Sequence, residues 1–235
     1  MTNARVCVVT PTYNEKGNIE VLVRKIFGLK IPNLEMVIVD DNSPDGTGRI
    51  AEELAKIYPI RVMHREKKMG LGTAYAAAFR TLLEKQPDYI IQMDADLSHD
   101  PADIPRFIEK ANDHDVVLGS RYVEGGSIEN WDFFRKLISR FGNFYSRSIL
   151  WVPYRDLTGG FKCYRKAVLA SLDLNSLSSL GYNFQIETTY KAHKFGHKIH
   201  EIPITFTERK SGDSKFNLGI MAESFLKVIL LRFFG

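Results

Sequence analysis

The stretch Tyr89-Ile90-Ile91-Gln92-Met93-Asp94-Ala95-Asp96 runs from a segment of strand length directly into two acids. Four more runs of this kind, residues 6–10, 36–39, 60–63 and 116–118, are apolar, rich in β-branched residues and bounded by turn residues. Between them the period changes. Ile50, Leu54, Ile57 and Tyr58 fall at i, i+4, i+7 and i+8, and Ile104, Phe107, Ile108 and Ala111 repeat the one-sided spacing of a helix. This alternation predicts an α/β chain of right-handed βαβ units, with a mostly parallel sheet and helices on both faces.

In an open parallel sheet, ligands gather at the carboxyl ends of the strands. The residues there are polar: Pro11-Thr12-Tyr13-Asn14-Glu15 after the first run, Asp40-Asp41-Asn42-Ser43-Pro44-Asp45-Gly46 after the second, and Asp94-Ala95-Asp96 after the fourth. Asp45 suits a helix cap. The four acids Asp40, Asp41, Asp94 and Asp96 require a cation or a hydrogen-bonding ligand. Alternate residues of an extended segment share a face, so Asp94 and Asp96 are expected side by side. Mg²⁺ or Mn²⁺ is held by one or two carboxylates plus substrate phosphates, and this pair fits a cation carrying a diphosphate. Gly70-Leu71-Gly72 opens a helix expected over residues 73–83, but Tyr75 stands where a dinucleotide fingerprint needs its third glycine.

Composition narrows the class. The 235 residues are 44% hydrophobic and 26% charged, as in a folded chain, and are read as one domain over residues 1–235. The net charge of +4 is dispersed, which disfavours nucleic acid, as does the lack of an RNA-binding or zinc-finger pattern. Cys7 and Cys163 lie inside apolar runs and read as reduced core thiols. No run approaches the roughly 18 apolar residues of a spanning helix, so membrane contact is expected to be peripheral or through a partner. Residues 131–151 read as a helix, 157–164 as loop into strand, and 199–206 as a final strand. A helix over 218–234 places Glu223 and Lys227 on one face, yet its last turns, with Leu230, Leu231 and Phe234, are apolar nearly all round. That end suits either docking onto the protein's own core or contact with bilayer or a membrane subunit.

Six ordered motifs carry a resemblance over nearly the whole chain: residues 11–15, 40–47, 70–75, 93–99, 119–122 and 157–161. Together they resemble the dolichol-phosphate mannosyltransferases, within glycosyltransferase family 2. The resemblance implies the GT-A fold, a Rossmann-like sheet, and inverting transfer of mannose from GDP-mannose to dolichyl phosphate. It implies a peripheral enzyme on the cytoplasmic face of the endoplasmic reticulum membrane, serving protein glycosylation and GPI-anchor synthesis with small membrane-embedded partner subunits. By motif, Pro11, Tyr13, Glu15, Val39 and Asp41 would form the guanosine pocket. Asp94, Ala95 and Asp96 would meet ribose, diphosphate and metal, with Asp94, Asp96 and Ser98 as the metal set. Arg121, Arg135 and Ser139 would receive the acceptor phosphate, and Arg209 and Lys215 the donor phosphates. Asp96, Arg121 and Arg135 are then the catalytic set.

A phosphate acceptor arrives already anionic, because its second pKa is about 6. No general base is therefore expected, only alignment and charge stabilisation. The rival readings are dolichyl-phosphate glucose synthesis from UDP-glucose and a non-catalytic nucleotide-binding subunit. A small-molecule kinase is a weaker reading still, because no Gly-x-x-x-x-Gly-Lys-Ser/Thr loop exists.

Overall fold

The computed structural model describes residues 4–85, 87–174, 182–208 and 218–234. In chain order the elements are β1 (Val6–Thr12), α1 (Ile19–Gly28), β2 (Leu34–Asp40), α2 (Thr47–Ala55), β3 (Ile60–His64), α3 (Leu71–Lys85) and β4 (Tyr89–Gln92). They continue through α4 (Ile104–Ala111), β5 (Val116–Ser120), β6 (Ser127–Glu129), α5 (Phe133–Leu150), β7 (Lys162–Arg165) and α6 (Lys166–Ser171). The last are α7 (Tyr182–Lys194), β8 (Ile199–Pro203), β9 (Thr205–Thr207) and α8 (Leu218–Phe234).

Seven strands form one sheet in the order β3-β2-β1-β4-β7-β5-β8. All neighbours are parallel except β7, which runs antiparallel between β4 and β5. The pleat divides the core. Val6 and Val8, Met36 and Ile38, and Tyr89 and Ile91 face a layer with α1, α2 and α4. Cys7 and Val9, Val37 and Val39, and Ile90 face the opposite layer, with α3, α6 and α7. Strands buried on both sides must be apolar at successive positions, which is why these runs show little alternation.

Two expected elements change shape. The final strand divides: β8 pairs with β5 up to Pro203, Ile204 N donates to Ser120 O, and β9 then pairs with β6 in a separate two-stranded sheet. Pro203 has no N–H to continue the ladder. Helix α5 is trimmed to Phe133–Leu150, because the Asp132 carboxylate caps it by accepting from Arg135 N at 2.9 Å and Trp151 ends it at φ 56°. Its inner face is polar and buried (Asn143, Ser146), while its outer face exposes Phe133, Phe134, Leu137, Phe141 and Phe144. Helix α8 packs beside it through Phe225, whose ring meets Phe141 and Tyr145 at 5.9 and 4.6 Å, and exposes Leu226, Leu230 and Phe233. Among the described residues no helix is long and apolar enough to cross a membrane.

Candidate active site

Residues 95–97 bend after β4, and Leu97 takes a left-handed conformation at φ 62°. Each acid is held separately. Asp96 Oδ1 accepts the Ser98 N–H at 3.1 Å and the Ser98 hydroxyl at 2.6 Å, a local turn of the kind Asp favours. Its Oδ2 has no hydrogen bond among the described residues. Asp94 Oδ1 accepts the Tyr75 hydroxyl at 3.1 Å, from α3, and Asp94 N donates to His99 Nδ1 at 3.3 Å. Burial, and then the Asp94 charge, push the fully enclosed Tyr75 phenol well above its ordinary value, so it stays a donor. Burial lowers His99 to about 4, leaving a neutral ring stacked 5.0 Å from Phe161.

These residues fit a cation of the Mg²⁺ or Mn²⁺ type. Among the described residues no group of three His, Cys, Asp or Glu side chains could hold a metal by itself. Two carboxylates alone suit an ion that takes its remaining oxygens from water and a diphosphate. Gly160 keeps the approach open, since a Cβ there would lie 3.1 Å from Asp94 Oδ2. Ser98 departs from its expected place in the metal set: it is buried and its hydroxyl is committed to Asp96, which it orients.

At the ends of the first two strands, Pro11 lies in β1, and Val39 is buried near the end of β2. Tyr13 is partly exposed with Lys68 Nζ 3.8 Å above its ring. Glu15 Oε2 accepts from Asn18 Nδ2 at 2.8 Å. Asp41 accepts from Met69 N at 3.2 Å and lies 3.1 Å from Arg65 Nη1. Burial raises its pKa, against the pull of Arg65. Asp40, expected to meet a ligand, turns inward instead. It accepts from Thr12 Oγ1 and from the Ser43 N–H and hydroxyl at 2.6–3.1 Å, and so closes the β2 turn.

Just after the end of β5, Arg121 is clamped. Its Nε and Nη2 reach the two Asp156 oxygens at 2.7 Å each, and Nη2 also reaches Thr158 Oγ1 at 2.8 Å. Burial would raise Asp156, but the Arg121 charge and hydrogen bonds hold its carboxyl below the ordinary value. Removing either partner of such a buried pair costs about 3–5 kcal/mol. Gly159 and Gly160 lie between this pair and Asp94: a Cβ on Gly159 would stand 3.5 Å from Asp156. Arg135, on α5, lies 4.2 Å from the Trp131 ring centre and pairs with Glu208. Ser139, one turn on, accepts the Tyr122 hydroxyl at 2.7 Å. Arg209 and Lys215 lie outside the described residues.

Asp156, Trp131, Tyr75 and Glu208 carry this site and were not singled out from sequence. Trp131 Nε1 is buried without a hydrogen-bond partner beside Arg135, and its ring also meets Phe206 and Arg121 at 5.4 and 5.7 Å. Only Tyr75, three residues past a glycine pair in a quoted motif, had a signal near it.

Comparison with known proteins gives the family and agrees with the fold. The family described as "Glycosyl transferase family 2" matches residues 7–172. A polyprenol monophosphomannose synthase from Mycolicibacterium smegmatis is 42% identical over 227 residues, covering 95% of this chain and 85% of that protein. An undecaprenyl-phosphate mannosyltransferase from Micrococcus luteus is 41% identical, covering 95% and 92%. Among solved structures, glucosyl-3-phosphoglycerate synthase from Mycobacterium tuberculosis, in complex with Mn²⁺, UDP-glucose and phosphoglyceric acid, superposes with a TM-score of 0.68. It is 20% identical over 97% of this chain and 79% of that one.

Proposed function

Because this chain belongs to glycosyl transferase family 2 and has its GT-A fold, we propose that it transfers mannose, with inversion, from GDP-mannose to a polyprenyl phosphate. The observation that carries the reading is the juxtaposition across Gly159-Gly160: two separately held acids on one side, a clamped arginine on the other. Such a site puts a diphosphate leaving group and an anionic acceptor at one strand edge. The mannose rests on the names of the two relatives and the guanosine on the sequence resemblance.

The reading is narrower than the resemblance in one respect and broader in another. Dolichyl phosphate becomes one candidate within the polyprenyl phosphates, since one relative is named for polyprenol and the other for undecaprenyl phosphate. Both relatives are bacterial, and they lend no support to an endoplasmic reticulum location, a GPI-anchor role or membrane-embedded partner subunits.

Each group then has a task. Pro11, Tyr13, Glu15, Val39 and Asp41 hold the base and ribose. Asp94 and Asp96 would hold the cation, which when bound would supply positive charge to the diphosphate leaving group. Arg135, with Ser139 and the fixed charge of Arg121, orients the acceptor phosphate, whose oxygen forms the new bond to the anomeric carbon; a guanidinium fork suits that contact. Arg209 and Lys215 stabilise the departing nucleoside diphosphate. The apolar face of α5 and α8 takes the bilayer in which the isoprenoid tail resides.

No side chain needs to remove a proton. Transfer from GDP-mannose to a polyprenyl phosphate should therefore be flat above about pH 7. A bell whose upper limb maps to one carboxylate would contradict the mechanism, and absence of transfer at every pH would contradict the function.

A further inference from the structure

A cavity of about 560 Å³ opens beside α5, apart from the acids at the end of β4. Its wall is the segment from Arg121 to Gly126 on one side and Arg140, Asn143, Phe144 and Arg147 of α5 on the other, with Arg155 completing it. Arg121 is neutralised by Asp156. The other three arginines are not: none of Arg140, Arg147 and Arg155 makes a side-chain ion pair or hydrogen bond among the described residues. Glu124 is the one acid among the described lining residues. Three unopposed cations around a recess of this size call for an anionic ligand.

The surroundings say which anion. Arg140 and Arg147 are seven residues apart and so share one side of α5. They border the stripe formed by Phe133, Leu137, Phe141 and Phe144, which are 73%, 51%, 54% and 64% exposed. Trp151, at the end of the helix, is 80% exposed. An apolar stripe edged by arginines matches a bilayer surface in order, with acyl chains first and headgroup phosphates just above them. A soluble anion would have no use for the stripe.

We infer that this arginine-lined cavity receives the headgroup phosphate of an anionic phospholipid, and so seats α5 on the bilayer. The inference rests on the reading that this face meets a membrane. It adds a phosphate site next to that of the acceptor: Tyr122 lines the cavity and its hydroxyl donates to Ser139.

The test is co-sedimentation of the full chain with vesicles of phosphatidylcholine alone or mixed with phosphatidylglycerol. The combined variant Arg140→Gln, Arg147→Gln, Arg155→Gln is compared with a control of equal charge change, Lys25→Gln, Lys30→Gln, Lys110→Gln. The control residues are exposed and lie on the α1 and α4 side of the sheet. Phosphatidylglycerol should strengthen wild-type binding, the cavity variant should lose about 100-fold of that binding, and the control should lose no more than about threefold. Equal losses in the two variants, or wild-type binding indifferent to phosphatidylglycerol, would overturn the inference. Transfer to a short polyprenyl phosphate in detergent, measured on the same proteins, separates the two readings. An active enzyme whose cavity variant binds vesicles normally sinks only this inference, and an inactive one with the vesicle pattern intact sinks only the function.

Discussion

Glu208 occupies the guanidinium of Arg135: the two side chains are paired across 73 residues of sequence, while Trp131 backs the same guanidinium. A carboxylate thus sits on the cation proposed to receive the acceptor phosphate. The two anions compete for one fork of N–H donors. Replacing Glu208 by Gln keeps the shape and removes the charge. Glu208→Gln should lower the KM for a polyprenyl phosphate about fivefold, with kcat within twofold, in steady-state kinetics at saturating donor. A raised KM would show that Glu208 supports the acceptor and does not rival it.

Tyr75 is completely enclosed and its hydroxyl points at Asp94. Groups that hold a metal's ligand commonly alter affinity by about 10–100-fold when removed. Tyr75→Phe should raise the Mn²⁺ concentration needed for half-saturation about tenfold, read by calorimetric titration of Mn²⁺ with the nucleoside diphosphate present. Stability should fall by only about 1 kcal/mol, the worth of one hydrogen bond. Unchanged Mn²⁺ affinity would remove Asp94 from the cation site.

Lys162 is buried in β7, where its Nζ donates to Gln185 O at 2.6 Å and Thr189 Oγ1 at 2.9 Å. Burial lowers its pKa to about 7, opposed by Asp156. The unfolded chain, with an ordinary lysine, holds its proton to higher pH. Between the two values the unfolded state binds more protons, so raising the pH favours the folded state. Wild type should gain about 2 kcal/mol on Lys162→Met between about pH 7 and 9, measured by urea unfolding. A constant difference would mean that Lys162 is charged in the fold throughout.

Much of the architecture was legible because a parallel sheet writes itself as repeated apolar runs with polar ends. The ends of β1, β2 and β4 were found that way. Strand β7 was placed in sequence but not in space: nothing in Lys162-Cys163-Tyr164-Arg165 says that it enters antiparallel between β4 and β5. The division of the last strand at Pro203 depends on where β6 lies, a contact made 78 residues away. In the site, Asp94 and Asp96 stood out by local pattern, whereas their supports did not. Tyr75 reaches Asp94 from another element, Asp156 meets Arg121 across 35 residues, and the cavity arginines come from α5 and a loop beyond it. Asp40 misled for the same reason. Its acid looked available, but Thr12 and Ser43 converge on it only after folding.

The most direct test of the central claim offers labelled GDP-mannose and labelled UDP-glucose separately, each with a polyprenyl phosphate, with and without chelator, to wild type and Asp96→Ala. Labelled lipid should form from GDP-mannose with wild type alone, and chelator should abolish it. Label passing equally well from UDP-glucose, or undiminished transfer by Asp96→Ala in chelator, would contradict the account.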